Sequence, residues 1–365
     1  MLAGRDTLFT VARVPEEAGG RAARIASASF SSDSTAIAMR LVGPVPSVVV
    51  WPRLRQAAQV VRTFPGGVVM TVDWSPAGRL LAFEGRDADG GAQAGIFDVE
   101  AGLVGRHAAL RWLERRGQSV RFQSWVGPGR ARFLVGPEEG GLAYVWDVPS
   151  GIFVLESHMA VLASQPPPGA PQRSGVFSLD LGGDPTPETV ALFRTLEGVP
   201  GAYVLVDAGP GGVRGTATVP LVPAGAVGVA DWKETTRGAD LYQIAEIGGR
   251  PTLLLALPSE SRFLAVGLFQ LAAAGGLEPV TLAGPAGAAP AVFPEGVVGD
   301  ETRQIGLADL DGDGAEEVVA ATGRREAGVL RWSVEVYRWD GARLAPAPAL
   351  APAAMERIER LVGGR

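Results

Sequence analysis

The stretch Asp309-Leu-Asp-Gly-Asp-Gly-Ala-Glu-Glu317, which runs directly into Val318-Val-Ala-Ala321, decides the fold. Carboxylates stand at its first, third, fifth and ninth positions, and two glycines between them let the backbone turn back on itself. Ca²⁺ is a hard cation that takes about six to eight oxygen ligands, and a short acidic loop supplies such oxygens. The valines favour a β-strand after the loop. The sequence therefore predicts a cation-binding loop that leads into a strand.

Two other stretches share the spacing of this loop. Residues 180–188 keep acidic side chains at the first, fifth and ninth positions, whereas the third position is Gly182. The lost third ligand and the prolines at 185 and 187 favour a polar turn there, with a bound ion as the alternative. Around Glu246 only that glutamate remains acidic, and Arg250 takes the fifth position. We predict no ion at Glu246.

The N-terminal half carries a different repeat, in which an aromatic residue precedes a tight turn and an apolar strand. The pattern recurs at Phe30, Trp74 and Trp125, and each unit has a second apolar strand some 20 residues later. The period of ~45–50 residues is that of one four-stranded propeller blade. Residues 23–160 are therefore predicted to form three blades.

The whole pattern predicts an all-β fold, a single β-propeller of six or seven four-stranded blades over residues 1–345. Helical spacing that ends at a glycine predicts a short helical insertion near 107–117. We expect a proline-rich connector at 164–174 and acidic-loop units over about 175–345. The Ala/Pro-rich tail, 346–365, is predicted to hold one short helix.

The N-terminal units resemble WD-repeat and Tol-type propellers, through Asp73-Trp-Ser-Pro-Ala-Gly-Arg79 and Trp146-Asp147. In the C-terminal half, the acidic loop could be an EF-hand, but its twelfth position is Ala320 and a strand follows. The loop instead resembles the FG-GAP repeat of integrin-type propellers, whose pattern is Asp-x-Asp-x-Asp-Gly-x-x-Asp.

The FG-GAP resemblance implies a structural Ca²⁺ with a defined ligand set, in which a glutamate replaces the last aspartate of the pattern. The implied ligands are the side chains of Asp309, Asp311, Asp313 and Glu317 and the backbone carbonyl of Ala315. The alternative is a polar hairpin whose acids face water.

Composition narrows the function classes. The net charge is −6, which leaves no general basic footprint for nucleic acid. The chain has no cysteine, which excludes disulfides and thiolate zinc sites. No apolar run reaches the ~18 residues of a membrane helix, so no transmembrane segment is expected. The N-terminus shows no apolar core of a signal peptide.

Catalytic motifs are not found in the sequence. His107 and His158 are the two histidines, and we interpret both as packing or surface residues. There is no nucleophile elbow, zinc-protease helix or dinucleotide fingerprint. No enzymatic activity and no catalytic residue are therefore predicted, and channel-facing carboxylates or arginines remain open as an alternative.

The leading hypothesis is a non-catalytic, calcium-stabilised binding or scaffold module with a protein or glycan partner. Calcium loops of extracellular modules bind at ~10⁻⁴–10⁻³ M, which favours a place outside the cytoplasm or at the cell surface, with the cytoplasm as the alternative. A monomer is expected. Two further alternatives are a polysaccharide lyase or hydrolase that works from the central channel, and a carbohydrate-binding propeller.

Overall fold

The computed structural model describes residues 18, 22–52, 57–105, 107–137, 139–159, 172–182, 187–194, 200–207, 213–218, 240–257, 264–272, 276–284, 287–326 and 329–362. Its secondary structure is nearly all strand, which confirms the predicted all-β class. The chain divides into two compact units, residues 1–153 and 154–365.

The first half of the chain folds into consecutive antiparallel sheets, of which the first two are four-stranded. The strands of the first two sheets are β1 (Arg24–Phe30), β2 (Ala36–Val42), β3 (Ser47–Pro52), β4 (Gln59–Thr63), β5 (Val68–Trp74), β6 (Leu80–Arg86), β7 (Ala92–Asp98) and β8 (Leu103–Gly105). The third sheet is larger, and its first four strands are β9 (Val120–Gly127), β10 (Arg130–Val135), β11 (Leu142–Asp147) and β12 (Ile152–Leu155). Within each sheet neighbours in sequence are neighbours in space. Strands β1–β8 thus form two four-stranded sheets, and the division of residues 23–160 into three blades stays a prediction.

The recurring aromatic residues link the first strands of successive sheets. The Trp74 indole N–H donates to the backbone carbonyl of Ser29 on β1, at 3.1 Å. The Trp125 indole N–H on β9 donates to the carbonyl of Asp73 on β5, at 3.4 Å. A buried or half-buried indole needs an acceptor for its N–H, and the neighbouring strand supplies it. The repeat seen in the sequence therefore marks contacts between sheets.

The first two sheets also share a hydrophobic core. Fully burying one large apolar side chain contributes roughly 1.5–3 kcal/mol, so a core of this size holds neighbouring sheets together. Its buried members are Ala36, Ala38, Val48, Val50, Val61, Phe64, Val69, Leu81, Phe83 and Phe97.

A short helix, α1 (Ala108–Arg115), separates the second sheet from the third. His107 caps its N-terminus, and its end is followed by Gly117, whose φ of +71° lies in the left-handed region that glycine adopts easily. The predicted insertion near 107–117 is confirmed.

The C-terminal unit continues with mostly antiparallel strands. Its first strands are β13 (Gln172–Leu179), β14 (Glu188–Arg194), β15 (Pro200–Asp207), β16 (Val213–Thr218), β17 (Asp240–Ile247), β18 (Arg250–Leu257) and β19 (Leu264–Leu271). The others are β20 (Leu277–Pro279), β21 (Thr281–Gly284), β22 (Gly287–Pro290), β23 (Val292–Val298), β24 (Glu301–Ala308), β25 (Glu317–Glu326), β26 (Val329–Trp339) and β27 (Leu344–Pro346). Because β13 begins at Gln172, the end of the predicted connector 164–174 belongs to a strand; residues 164–171 lie outside the described residues.

Strand β23 joins two groups of strands in the C-terminal unit. Its first half pairs with β19, from Leu264 opposite Glu295 to Gly267 opposite Val292. Its second half pairs with β24, beginning with Gly296 opposite Arg303. Gly296 has a φ of +129°, which lets the strand change direction between its two partners. The sheet is therefore continuous from β17 to β27.

The tail forms the predicted short helix, α2 (Ala351–Val362), after a single 3-10 turn at Pro348–Leu350. Ala354 of α2 is fully buried and packs with Leu310, Val319 and Val336. The helix is thus fixed to the sheet beside the Asp309 loop, residues 309–317. None of the helices in the described part of the chain has the length and apolar character needed to cross a membrane.

Candidate metal centre

The Asp309 loop connects two long paired strands. Strand β24 ends at Ala308 and β25 begins at Glu317, and the two strands pair along their length up to this end. Gly312 and Gly314 have φ values of +80° and +88°. L-residues rarely adopt this backbone conformation, so the glycines allow the tight turn that the sequence predicted.

The aspartates of the loop hold its backbone in place. Asp309 accepts two backbone hydrogen bonds, from Gly312 N–H at 2.7 Å and from Gly314 N–H at 3.1 Å. Asp313 accepts one from Ala315 N–H at 2.8 Å. These bonds curl the loop around the Asp309 carboxylate, so that its acidic side chains gather on one side.

Three of the predicted ligands lie close enough to share one ion. One oxygen each of Asp309, Asp311 and Glu317, the acid trio, lie within 4.8 Å of one another. Ca²⁺ binds oxygen at about 2.3–2.6 Å, so two ligands of one ion lie at most about 5 Å apart. The spacing of the acid trio fits a single calcium ion.

The environment of Glu317 also indicates a bound cation. Its side chain is fully buried, and its Oε2 accepts the backbone N–H of Leu310 at 2.9 Å. Its Oε1 is buried and has no hydrogen-bond partner. Burial raises the pKa of Glu317 above its ordinary range, and the nearby Asp311 and Asp313 raise it further, against the opposing effects of the Leu310 hydrogen bond and Arg338. An unsatisfied buried oxygen costs about 1–3 kcal/mol, a cost that a bound cation would remove.

A side chain that the sequence did not implicate also reaches the loop. Arg338 of β26 donates from Nη1 to Asp311 Oδ2 at 2.7 Å, and its Nη2 contacts Asp313. Its Nε lies 3.7 Å from Glu317 Oε1, too far for a hydrogen bond. The pairing of Val318 with Tyr337 brings Arg338 to this end of the sheet.

The five predicted ligands thus have different contacts in the structure. It brings together the acid trio, while Asp313 is paired with Arg338. The N–H of Ala315 bonds to Asp313, and its carbonyl as a ligand stays a prediction. Two arginines were not predicted from the sequence: Arg338, and Arg357 of α2, whose guanidinium donates to the Asp309 carbonyl.

The loop at 180–188 repeats one contact of the Asp309 loop. The backbone N–H of Leu181 donates to Glu188 Oε2 at 2.7 Å, as that of Leu310 donates to Glu317. The ninth acid therefore anchors the second backbone amide in both loops, a role that the sequence reasoning did not assign. An apolar residue at the second position and an acid just before a strand are its sequence marks. Asp184 lies outside the described residues.

At Glu246 the third copy of the spacing is reduced to a hairpin turn. Gly248 and Gly249 connect β17 to β18, with Ile247 paired to Arg250. The backbone N–H of Glu246 donates to Glu316 of the Asp309 loop at 3.2 Å. This stretch supports the neighbouring loop through its backbone.

His107 packs within the N-terminal unit. Its ring stacks on Phe153, with centroids 5.4 Å apart. Its Nδ1 accepts the N–H of Ala109 at 3.2 Å, so Nε2 carries the proton and donates to the carbonyl of Gly151, also at 3.2 Å. Burial lowers the pKa of His107 to about 4, and the charge of Arg111 lowers it further, while the Gly151 hydrogen bond raises it.

His158 is buried among polar groups of the C-terminal unit. Its Nδ1 lies 2.7 Å from Thr189 Oγ1, which in turn contacts the hydroxyl of Ser178. Ser178 Oγ also accepts the backbone N–H of Leu155 at 3.0 Å. These side chains are nearly inaccessible to solvent, which fits the packing role predicted for His158.

Comparisons with known proteins give weak structural likenesses. No protein-family model and no curated protein sequence matches the chain. Similar solved structures include TolB from Acinetobacter baumannii, at 11% identity and a TM-score of 0.25, covering 89% of this chain and 57% of that one. The β-propeller domain of the Trilobed protease from Pyrococcus furiosus has 15% identity and a TM-score of 0.25, with 87% and 79% covered. The C-terminal WD40 domain of Sif2 has 13% identity and a TM-score of 0.25, with 89% and 70% covered.

At these identities and TM-scores the likenesses indicate no activity, ligand or partner for this chain. The repeated four-stranded antiparallel sheets place the chain in the class of all-β proteins built from propeller blades. Six or seven blades and their closure into one ring stay predictions.

Proposed function

We propose that this chain is a calcium-stabilised, non-catalytic β-propeller module that serves as a scaffold or binding surface. The observation that carries the proposal is Glu317 Oε1, a buried oxygen without a hydrogen-bond partner that lies beside the carboxylates of Asp309 and Asp311. The spacing of the acid trio matches one Ca²⁺, and oxygen is the ligand that this ion prefers.

The ion would be held by Asp309, Asp311 and Glu317, with Asp313 and the Ala315 carbonyl as further ligands that the FG-GAP resemblance supplies. Bound there, Ca²⁺ would neutralise carboxylates that otherwise repel one another and would cross-link the loop. The loop also contacts α2 through Arg357 and the turn at Glu246 through Glu316. A bound ion would therefore stabilise several elements of the C-terminal unit.

The proposed location follows from the affinity expected of such a loop. Calcium sites of extracellular modules have Kd values of ~10⁻⁴–10⁻³ M, which are filled outside the cell and empty at cytosolic calcium levels. We therefore place the module outside the cytoplasm or at the cell surface. Its partner would be a protein or a glycan.

Thermal unfolding in calcium and in chelator tests the proposal. With those Kd values, 10 mM CaCl₂ stabilises the folded chain by about 1.5–2.5 kcal/mol relative to EDTA. At about 2–4 °C per kcal/mol, this corresponds to a rise in Tm of about 3–10 °C for units of this size. The smaller Mg²⁺ demands a tighter octahedral site, so 10 mM MgCl₂ should give less than half of the shift.

A matched pair of variants assigns the effect to the loop. Asp311→Asn removes a charged ligand of the acid trio and should abolish the calcium shift. Asp340→Asn changes an exposed carboxylate in the turn after β26, which binds Arg343 and backbone amides, and should preserve the shift. An unchanged Tm in wild-type protein between 10 mM CaCl₂ and EDTA would refute the calcium proposal.

A further inference from the structure

We propose that Arg338 is an internal counter-cation of the Asp309 loop, which occupies the carboxylates when calcium is absent and must leave when calcium binds. This inference rests on the proposed calcium site. It concerns how that site is regulated, and it makes Arg338 a determinant of the calcium affinity.

The contacts of Arg338 place its charge where the ion would lie. Its Nη1 donates to Asp311 at 2.7 Å and its Nη2 contacts Asp313, so the guanidinium takes up two of the predicted ligands. Its Nε is 3.7 Å from the orphan Oε1 of Glu317. Like charges at such short range repel strongly in a partly buried site. Calcium and the guanidinium therefore compete for the same oxygens.

Arg338 and Glu317 differ in how easily their side chains can move. The Arg338 side chain is 43% exposed, so it can swing into solvent and keep its charge hydrated. Glu317 is fully buried and tied to the backbone of Leu310. Because Arg338 satisfies Asp311 and Asp313 but leaves Oε1 of Glu317 without a hydrogen bond, its occupation of the loop is incomplete. Calcium can satisfy all three oxygens of the acid trio at once.

This arrangement has a consequence for the calcium-free protein. Arg338 neutralises part of the charge of the loop, so the loop keeps its fold at low calcium. The same contact lowers the calcium affinity, because the ion has to displace an ion pair before it binds. Arg338 thus shifts calcium binding to higher concentrations and reduces the difference in stability between the two states.

Calcium titration of three proteins by calorimetry tests the inference: the wild type, Arg338→Gln and Arg343→Gln. Arg343 is the matched control, since it is also a half-exposed arginine in an ion pair, with Asp340 at 3.4 Å, and it does not contact the acid trio. Both variants remove one positive charge. A partly exposed ion pair is worth up to about 1 kcal/mol, so Arg338→Gln should bind calcium about fivefold tighter than Arg343→Gln.

The outcomes separate this inference from the proposed function. If the wild type binds calcium and both variants bind it equally well, the counter-cation role of Arg338 is wrong and the calcium site stands. If only Arg338→Gln binds calcium up to 10 mM, the counter-cation role stands and the calcium-stabilised state of the wild type is wrong. If none of the three proteins binds calcium, both proposals are wrong.

A measurement on the wild type covers the case in which Arg338→Gln does not fold. With ¹⁵N-labelled arginine, the Nε–H resonance of Arg338, assigned through Arg338→Lys, should shift on addition of CaCl₂ as the guanidinium enters solvent. The Arg343 resonance should not follow the same titration, and NaCl of equal ionic strength should not reproduce the shift. An Arg338 resonance that is unchanged at saturating calcium would overturn the inference.

Discussion

Acid should destabilise the N-terminal unit through one side chain, His107. Its pKa of about 4 in the folded protein lies below the ordinary value of 6.5, because burial disfavours the charged ring. Protonation would also place a new N–H at Nδ1, against the Ala109 N–H that this nitrogen now accepts. The unfolded chain therefore binds a proton more readily than the folded chain between these two pH values.

The sign and size of the effect follow from this difference in pKa. Stability from His107 is fully present above about pH 6.5 and is lost as the pH falls toward 4. At pH 5 the loss relative to pH 7 is up to about 2 kcal/mol, from the linkage relation at about 1.4 kcal/mol per pKa unit. The figure is an upper bound because His107 is partly exposed to solvent.

Urea unfolding at pH 7 and pH 5, followed by tryptophan fluorescence, measures the loss. His107→Asn is the control, since asparagine is a good helix N-cap that does not titrate, although it loses the stacking on Phe153. Carboxylates titrate in both proteins, so their contribution cancels in the comparison. The wild type should lose up to about 2 kcal/mol more than His107→Asn between the two pH values. Equal losses in both proteins would refute the reasoning.

Two further predictions concern contacts of single residues. Glu84, buried on β6, accepts the backbone N–H of Phe122 on β9 at 3.0 Å. Glu84→Ala should therefore lower the free energy of unfolding in urea by about 1–3 kcal/mol, whereas Glu84→Gln keeps an acceptor and should lower it less. Equal losses in the two variants would contradict the role of this hydrogen bond. Gly248→Ala would place a Cβ 2.5 Å from Nε1 of Trp339 at a φ of +62°, whereas Gly249→Ala, at +73°, meets nothing within 4 Å. Both variants carry backbone strain, and Gly248→Ala should be less stable than Gly249→Ala by about 1–3 kcal/mol, with equal melting temperatures as the contrary result.

The strands and turns could be predicted from the sequence because their determinants are local. The repeat of an aromatic residue, a tight turn and an apolar strand predicted four-stranded units, and the glycine after α1 predicted the end of that helix. The spacing of the acids predicted the Asp309 loop, whose aspartates bond to amides only a few residues away. The sharing of β23 by β19 and β24 was not predicted, since strand pairing depends on partners distant in sequence.

Some features of the Asp309 loop follow from the local sequence, and others depend on the tertiary structure. The sequence by itself determined that acidic side chains would gather between two strands, because neighbours in a tight turn are close in any fold. Only the tertiary structure decided that Glu317 is buried with one unsatisfied oxygen, and that Arg338 and Arg357 reach the loop from β26 and α2. Strand register and helix packing place these groups, and both depend on how distant segments bury their apolar faces together.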